Sequence, residues 1–296
     1  MATLGLIVNP TSGGGKGKAL GEQFAAGLER LGLDYIDLSA GSAVEALSKG
    51  RAAITDGLID GLVVLGGDGM VHLGVNLVAE TKLPLMVVGA GTGNDSARLF
   101  GMPIHDVDAS LDYLAANLSK IREVDAAKVT NASGQKTLFG SVSAGFDAIV
   151  NARANRLRFP KGKSKYSVAL FLELPKFQPI KYRVVIDGVE RRLEAMLIAA
   201  ANAPAYGGGM LISPSSSVTD GFLDLFIVHK IGRMELVKLF PKVFTGGHIT
   251  HPAVEFVSAK KVELFADSVP AFADGESVGQ TPLSVEVLPA ALRVYG

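Results

Sequence analysis

Up to about residue 124, apolar positions fall in short unbroken runs that alternate with stretches of helical period. Leu4 to Asn9, Tyr35 to Leu38, Leu62 to Leu65 and Leu85 to Gly89 read as strands, and Ala19 to Leu31, Val44 to Ile54, Val71 to Val78 and Val107 to Leu118 as helices. Continuous apolar strands separated by amphipathic helices predict a parallel sheet covered on both faces, a Rossmann-like α/β domain. In such sheets ligands sit beyond the carboxyl ends of the strands. Three of these strands end in glycine-rich loops, so the ligand edge is predicted before any motif is named.

After Val124 the period changes. Strands joined by turn signals follow, at Asn131-Ala-Ser-Gly134, Asp187-Gly188, Asp220-Gly221 and Asp274-Gly275. Helices are expected near Ala148 to Leu157, Lys165 to Leu174 and Arg233 to Phe244. The reading is a nucleotide-binding α/β domain over 1–124 and a mostly antiparallel β domain over 125–288. The segment from about 289 to 296 is a candidate to return to the first.

Composition narrows the function. The 296 residues are 48% hydrophobic, enough for two cores. Lys plus Arg (29) equals Asp plus Glu (29), which gives no support to nucleic acid as a partner. There is no cysteine, hence no disulfide, thiolate metal site or Cys nucleophile. No apolar run reaches the roughly 18 residues of a membrane span, and the N-terminus has no basic leader, so a cytoplasmic protein is expected. A run of cations, Arg153, Arg156, Arg158, Lys161, Lys163 and Lys165, is a solvated face or a contact with anionic membrane at its inner face. Homo-oligomerisation is left open.

The three loops carry the chemistry. In Asn9-Pro-Thr-Ser-Gly-Gly-Gly-Lys16, glycines between a strand and a helix let backbone N–H groups approach an anion; the bland alternative is a flexible turn. The loop is not a Walker A motif, since Ser12 stands for the first glycine and Ala19 for the final hydroxyl residue, and no G-x-G-x-x-G occurs in any of the three loops. Gly66-Gly67-Asp68-Gly69 combines close backbone approach with one carboxylate suited to Mg2+. Gly89-Ala-Gly-Thr-Gly-Asn-Asp95 again ends in a carboxylate, although Asn94 or Asp95 could serve as a helix cap. His248 and His251 are spaced like metal ligands but lack a nearby carboxylate.

Asn9 to Gly13, Gly66 to Gly69 and Gly91-Thr-Gly-Asn-Asp95, in this order, resemble the diacylglycerol kinase catalytic-domain family, specifically its soluble bacterial lipid kinases. The likeness continues through Asp220-Gly-Phe-Leu223, Gly246 to Pro252, Asp274-Gly-Glu276 and Leu288 to Val294. It implies an N-terminal Rossmann-like domain and a C-terminal antiparallel β-sandwich domain with the active site in the cleft between them. It implies transfer of the γ-phosphate of ATP to a lipid hydroxyl, most simply that of diacylglycerol, with Mg2+. The nucleotide contacts it implies are Asn9, Pro10, Thr11, Ser12, Gly13, Ser39, Gly66, Gly67, Asp68, Gly69, Met70, Val71, His72 and Thr92. Asp68 and Asp95 would organise the metal, Glu276 would be the general base, and the acyl chains would lie in the β-rich domain. A second, structural metal would be held by Ser217, Asp220 and the carbonyl of Phe222.

This chain departs from the family where Met70 replaces a threonine, which removes a hydroxyl whose hydrogen bond is worth about 0.5–1.5 kcal/mol. His72 and Asn76 also stand where relatives carry an Asn-Glu pair, and Ser217 is a poorer metal ligand than the Asp or Gln found there. Other readings are a kinase for a sphingoid, ceramide-like or glycolipid acceptor, an NAD kinase-like enzyme, or a non-catalytic lipid- or nucleotide-binding regulator.

Overall fold

A computed structural model describes residues 2–157, 159, 164–175 and 177–296. The chain divides into two compact units, Met1–Val124 with Ala290–Gly296, and Asp125–Pro289. The first contains β1 (Thr3–Val8), α1 (Ser12–Gly15), α2 (Gly17–Arg30), β2 (Asp34–Asp37), α3 (Ala43–Thr55), β3 (Gly61–Gly66), α4 (Asp68–Val78), β4 (Pro84–Gly89), α5 (Asp95–Leu99) and α6 (Val107–Asn117). β5 (Ile121–Asn131) leads into the second unit. There follow β6 (Gly134–Leu138), β7 (Ser141–Gly145), α7 (Phe146–Arg156), α8 (Ser164–Glu173), β8 (Ile180–Ile186), β9 (Val189–Ala201), β10 (Leu223–His229), α9 (Arg233–Leu239) and a 3-10 helix over Phe240–Thr245. β11 (Val254–Ala259), β12 (Lys261–Phe265), β13 (Pro270–Ala273), β14 (Glu276–Gln280) and β15 (Leu283–Tyr295) complete the chain.

In the first unit the strands run in the order β2, β1, β3, β4 and the end of β15, all parallel. Every residue of β3 and β4 is buried, as helices on both faces require. Val8, Gly66 and Gly89 end neighbouring strands, so the three glycine loops emerge at one edge.

The second unit is an antiparallel, sandwich-like fold in which β14, β13, β7, β9, β8, β12 and β15 follow one another and β10 joins β9 to β11. Side chains of period two serve two cores. Leu223, Leu225 and Ile227 of β10 face a core with Val142, Val184, Ile198, Val262 and Val285. Phe226 and Val228, on its other face, pack with Phe146, Val150, Leu170, Leu236 and Leu239 of the helices. The helix expected over Arg233 to Phe244 stops at Leu239 and tightens into the 3-10 turn, with Pro241 at its start, where a ring without an N–H is tolerated.

Candidate active site

The first loop leaves β1 through Asn9, whose N–H donates to the Leu65 carbonyl and whose Oδ1 accepts from Thr11 N (3.0 Å) and Thr11 Oγ1 (2.9 Å). Gly13, Gly14 and Gly15 then have φ of 60°, 72° and 95°, a left-handed run that side chains resist. Pro10 donates nothing but its carbonyl accepts from Lys18 N, which folds the loop over the start of α2. Ser12 is buried, and its Oγ meets no protein partner.

The second and third loops are built against each other. A Cβ on Gly67 would lie 3.1 Å from Gly91 Cα, and one on Gly91 would overlap Gly67 outright. Asn94, buried and left-handed at φ 58°, sits at the N-cap of α5 without a side-chain capping bond. Its amide instead grips Gly91, accepting from its N–H and donating to its carbonyl, both at 2.8 Å. Its own N–H donates to Asp68 Oδ2 at 3.0 Å. Gly93 leaves room for that carboxylate, which any Cβ there would strike. Asp95, buried beside it, accepts from Arg98 Nη1 at 3.1 Å, and the same nitrogen donates to the Gly93 carbonyl.

Asp68 Oδ1 is buried and has no protein partner. Burial pushes the Asp68 carboxyl above its ordinary value, the charge of Asp95 adds to this, and the N–H groups of Asn94, Ser96 and Asp95 oppose it. Two adjacent carboxylates, one with an orphaned oxygen, are the hard-oxygen donors that Mg2+ takes, so these residues fit the ion. Among the described residues no group of three or more His, Cys, Asp or Glu is arranged to hold a metal. Water and phosphate oxygens would therefore complete its shell.

The remaining nucleotide candidates divide by environment. Gly69 and Thr92 are exposed at the loop tips, and Val71 is buried. His72 is half-buried with its carbonyl accepting from Asn76 Nδ2 at 2.8 Å. Met70 is turned inward over Gly66 and is 8% exposed, so it is a packing residue. Ser39 Oγ accepts from Val8 N at 2.9 Å and lines a surface pocket with Pro10, Lys18, Tyr35 and Asp37.

In the second unit, Glu276 opens β14 directly after a two-residue hairpin turn, Asp274 and Gly275, with φ of 48° and 86°. Glu276 is exposed. The turn is anchored by Asp274, whose carboxylate accepts from Gly140 N (3.1 Å) and Ser141 N (2.9 Å) at the start of β7. Nothing in the sequence pattern pointed to this clasp. The Ser217 to Phe222 turn closes on its own bonds: Asp220 Oδ1 accepts from Phe222 N (3.0 Å), and Ser217 Oγ meets Thr219 Oγ1 (3.2 Å). Buried Asp125 accepts from Gly221 N at 2.7 Å. With one carboxylate of its own, the turn is a sparse donor set for a dication. The two histidines do not converge on a metal either, since His248 Nε2 meets the Ile212 carbonyl and His251 pairs with Glu235.

Beneath the helices of the same unit lies an apolar cavity lined by Tyr166, Leu170, Tyr206, Met210, Phe226 and Leu236 among others. One buried carboxyl, Asp147, also lines it; Oδ2 accepts from Tyr206 Oη at 2.6 Å and Oδ1 has no partner. Burial raises the pKa of Asp147 from its ordinary value, so its carboxyl gives up its proton less readily. Sequence reasoning missed this group because an Asp at the start of a helix reads as an ordinary first-turn acid.

No helix among the described residues is long and apolar enough to cross a membrane. Residues 3–129 match the family model described as diacylglycerol kinase catalytic domain, and residues 140–296 the YegS C-terminal NAD kinase beta sandwich-like domain. A diacylglycerol kinase of Mycobacterium tuberculosis strain H37Rv is 35% identical over 290 residues, covering 97% of this chain and 93% of the relative. One from Staphylococcus carnosus is 27% identical, covering 98% and 94%. The fold is shared with the crystal structure of a diacylglycerol kinase from Bacillus anthracis, with a TM-score of 0.74 at 20% identity, covering 100% of this chain and 97% of that one. Glycine loops, paired carboxylates and sandwich thus meet in one assignment: this chain belongs to the diacylglycerol kinase family of lipid kinases.

Proposed function

We propose that the chain transfers the γ-phosphoryl group of ATP to the free hydroxyl of diacylglycerol, giving phosphatidic acid and ADP. The observation that carries this reading is Asp68, a carboxylate fixed by one oxygen between two interlocked glycine loops with its other oxygen left unmet. Phosphoryl transfer asks mainly for positioning and charge neutralisation, and this arrangement supplies both. The N–H groups of the first loop and of Gly67 to Gly69 cradle the phosphates, and the pocket beside Ser39 accepts the rest of the nucleotide. Asp68 and Asp95 would hold Mg2+, which would supply positive charge to offset that of the transferred phosphoryl group.

Glu276 takes the proton of the lipid hydroxyl; that oxygen bonds to the γ-phosphorus while the bond to the bridging oxygen breaks, and its electron pair leaves with ADP. The cavity lined by Leu170 and Phe226 holds apolar lipid substance. The names of the relatives favour diacylglycerol as acceptor. Incubation with labelled ATP, Mg2+ and a total lipid extract tests the reading. Labelled phosphatidic acid is expected; a different labelled lipid corrects the acceptor, and no labelled lipid overturns the proposal.

A further inference from the structure

Helix α8 has two apolar faces. Tyr166, Leu170 and, just past its end, Leu174 line the cavity, while Val168, Phe171 and Leu172 are 37%, 64% and 46% exposed on the other side. A helix that is apolar all round belongs inside a protein or against another apolar phase. The neighbouring elements repeat the pattern. Leu236 and Leu239 of α9 are buried at the cavity while Met234 is 69% exposed. Tyr166 stacks on Phe240, and Phe240 meets Phe244 edge-on, which carries the ring series out to a side chain 46% exposed.

Charge around this patch is lopsided. The described residues of α7, α8, α9 and the 3-10 helix include six cations (Arg153, Arg156, Lys165, Arg233, Lys238 and Lys242) and three acids (Asp147, Glu173 and Glu235). Asp147 is buried and Glu173 neutralises Arg153 in an ion pair, which leaves five cations against the single acid Glu235. Of the basic run in the sequence, Arg158, Lys161 and Lys163 lie outside the described residues, and the patch does not depend on them.

We propose that the outer faces of α8, α9 and the 3-10 helix form the surface by which the second unit seats on an anionic lipid bilayer. Phe171, Leu172 and Met234 enter the headgroup boundary, and the cations flank them. Apolar insertion with a cationic rim is the chemistry of an interfacial helix. The same helices wall the apolar cavity, so seating sets that cavity against the bilayer and gives an embedded acceptor a short path to it. The surface rests on the lipid-kinase assignment; only the passage of acceptor rests on the proposed reaction.

The test is co-sedimentation with vesicles of phosphatidylglycerol and phosphatidylcholine, or of phosphatidylcholine alone, at low and high salt. Wild type is expected to bind the anionic vesicles and to weaken as salt rises. The double variant Phe171→Ser, Leu172→Ser should bind at least about tenfold more weakly. Val44→Ser, at a side chain 79% exposed in the first unit, should bind like wild type. Met234→Ser supplies an independent variant, expected to weaken binding severalfold, should the double variant melt early. Turnover on vesicle-borne diacylglycerol should fall with binding, while turnover on a dispersed short-chain diacylglycerol should not.

Unweakened binding of folded variants overturns the proposal, as does equal binding of wild type to neutral and anionic vesicles. So does a concentration-dependent dimer of wild type that the double variant abolishes, which would show the face covered by a second copy. Absence of turnover on either substrate strikes the proposed reaction alone, since vesicle binding is read separately.

Discussion

Asp68 in the first unit and Glu276 in the second are both presented by glycine-bearing turns, yet opposite means hold them. Asp68 is fixed by crowding: two loops meet at Gly67 and Gly91, Asn94 bonds its carboxylate, and Gly93 clears the space. Glu276 stands exposed on a hairpin that a neighbouring carboxylate, Asp274, ties to the start of β7. Crowding a carboxylate beside Asp95 costs stability, so changes at Asp68 register in both melting and rate. A clasped but solvated residue can register in rate alone.

The sharpest test of that contrast is Glu276→Gln. The amide cannot accept the lipid proton, so turnover should fall about 100- to 10,000-fold. Melting in denaturant should shift by no more than about 0.5 kcal/mol, as for other exposed changes. Full turnover in this variant would remove Glu276 from the reaction.

Asp68→Asn should lose at least about 100-fold in turnover, because charge in the transition state goes uncompensated. Its stability should move the other way. The folded carboxyl ionises less readily than the unfolded one, whose reference value is 3.8, so wild type loses stability as pH rises from there through the raised folded value. Without Mg2+ the variant should therefore melt higher than wild type at neutral pH, with the gap closing below pH 3.8. Added Mg2+ should raise the melting temperature of wild type and leave the variant unmoved. A variant that melts lower at neutral pH would contradict the strain assigned to Asp68.

Asp274→Ala strips acceptors from two buried N–H groups, at a cost of about 1–3 kcal/mol. Turnover should fall about tenfold through loss of fixed geometry at Glu276. Asp274→Asn, which keeps an acceptor and tolerates the positive φ, should lose less on both measures. The smallest effect is expected for Met70→Thr. Because residue 70 packs inward over Gly66, the restored hydroxyl should change turnover by less than about tenfold. The smaller side chain should cost roughly 1–2 kcal/mol in an unfolding titration.

What the sequence revealed about these regions follows from what is local. Strand period, helix period and glycine runs are properties of neighbours in the chain, and they placed the alternation of the first unit and the turns of the second. The grip of Asn94 on Gly91 is nearly as local, yet residue types leave Asn94 or Asp95 as the helix cap and do not show that Asn94, at the N-cap with a left-handed φ, turns its amide onto Gly91 instead. The clasp of Asp274 on Gly140 and Ser141 joins positions more than a hundred residues apart and has no periodic signal. The inward turn of Met70 depends on space above Gly66, which only packing defines. Likewise the sequence of α8 does not separate its buried apolar residues, such as Leu170, from its exposed ones, such as Phe171.

The last strand of the first unit's sheet has a consequence for synthesis. Arg293 and Val294 pair with Pro84 and Leu85, so β4 acquires its second neighbour from the segment Ala290–Gly296. While the chain is being made, β4, with all six residues destined for burial, remains an open edge throughout translation of the second unit. The first unit is thus sealed only once Ala290–Gly296 has been made, and until then β4 carries an unpaired apolar edge open to wrong pairing.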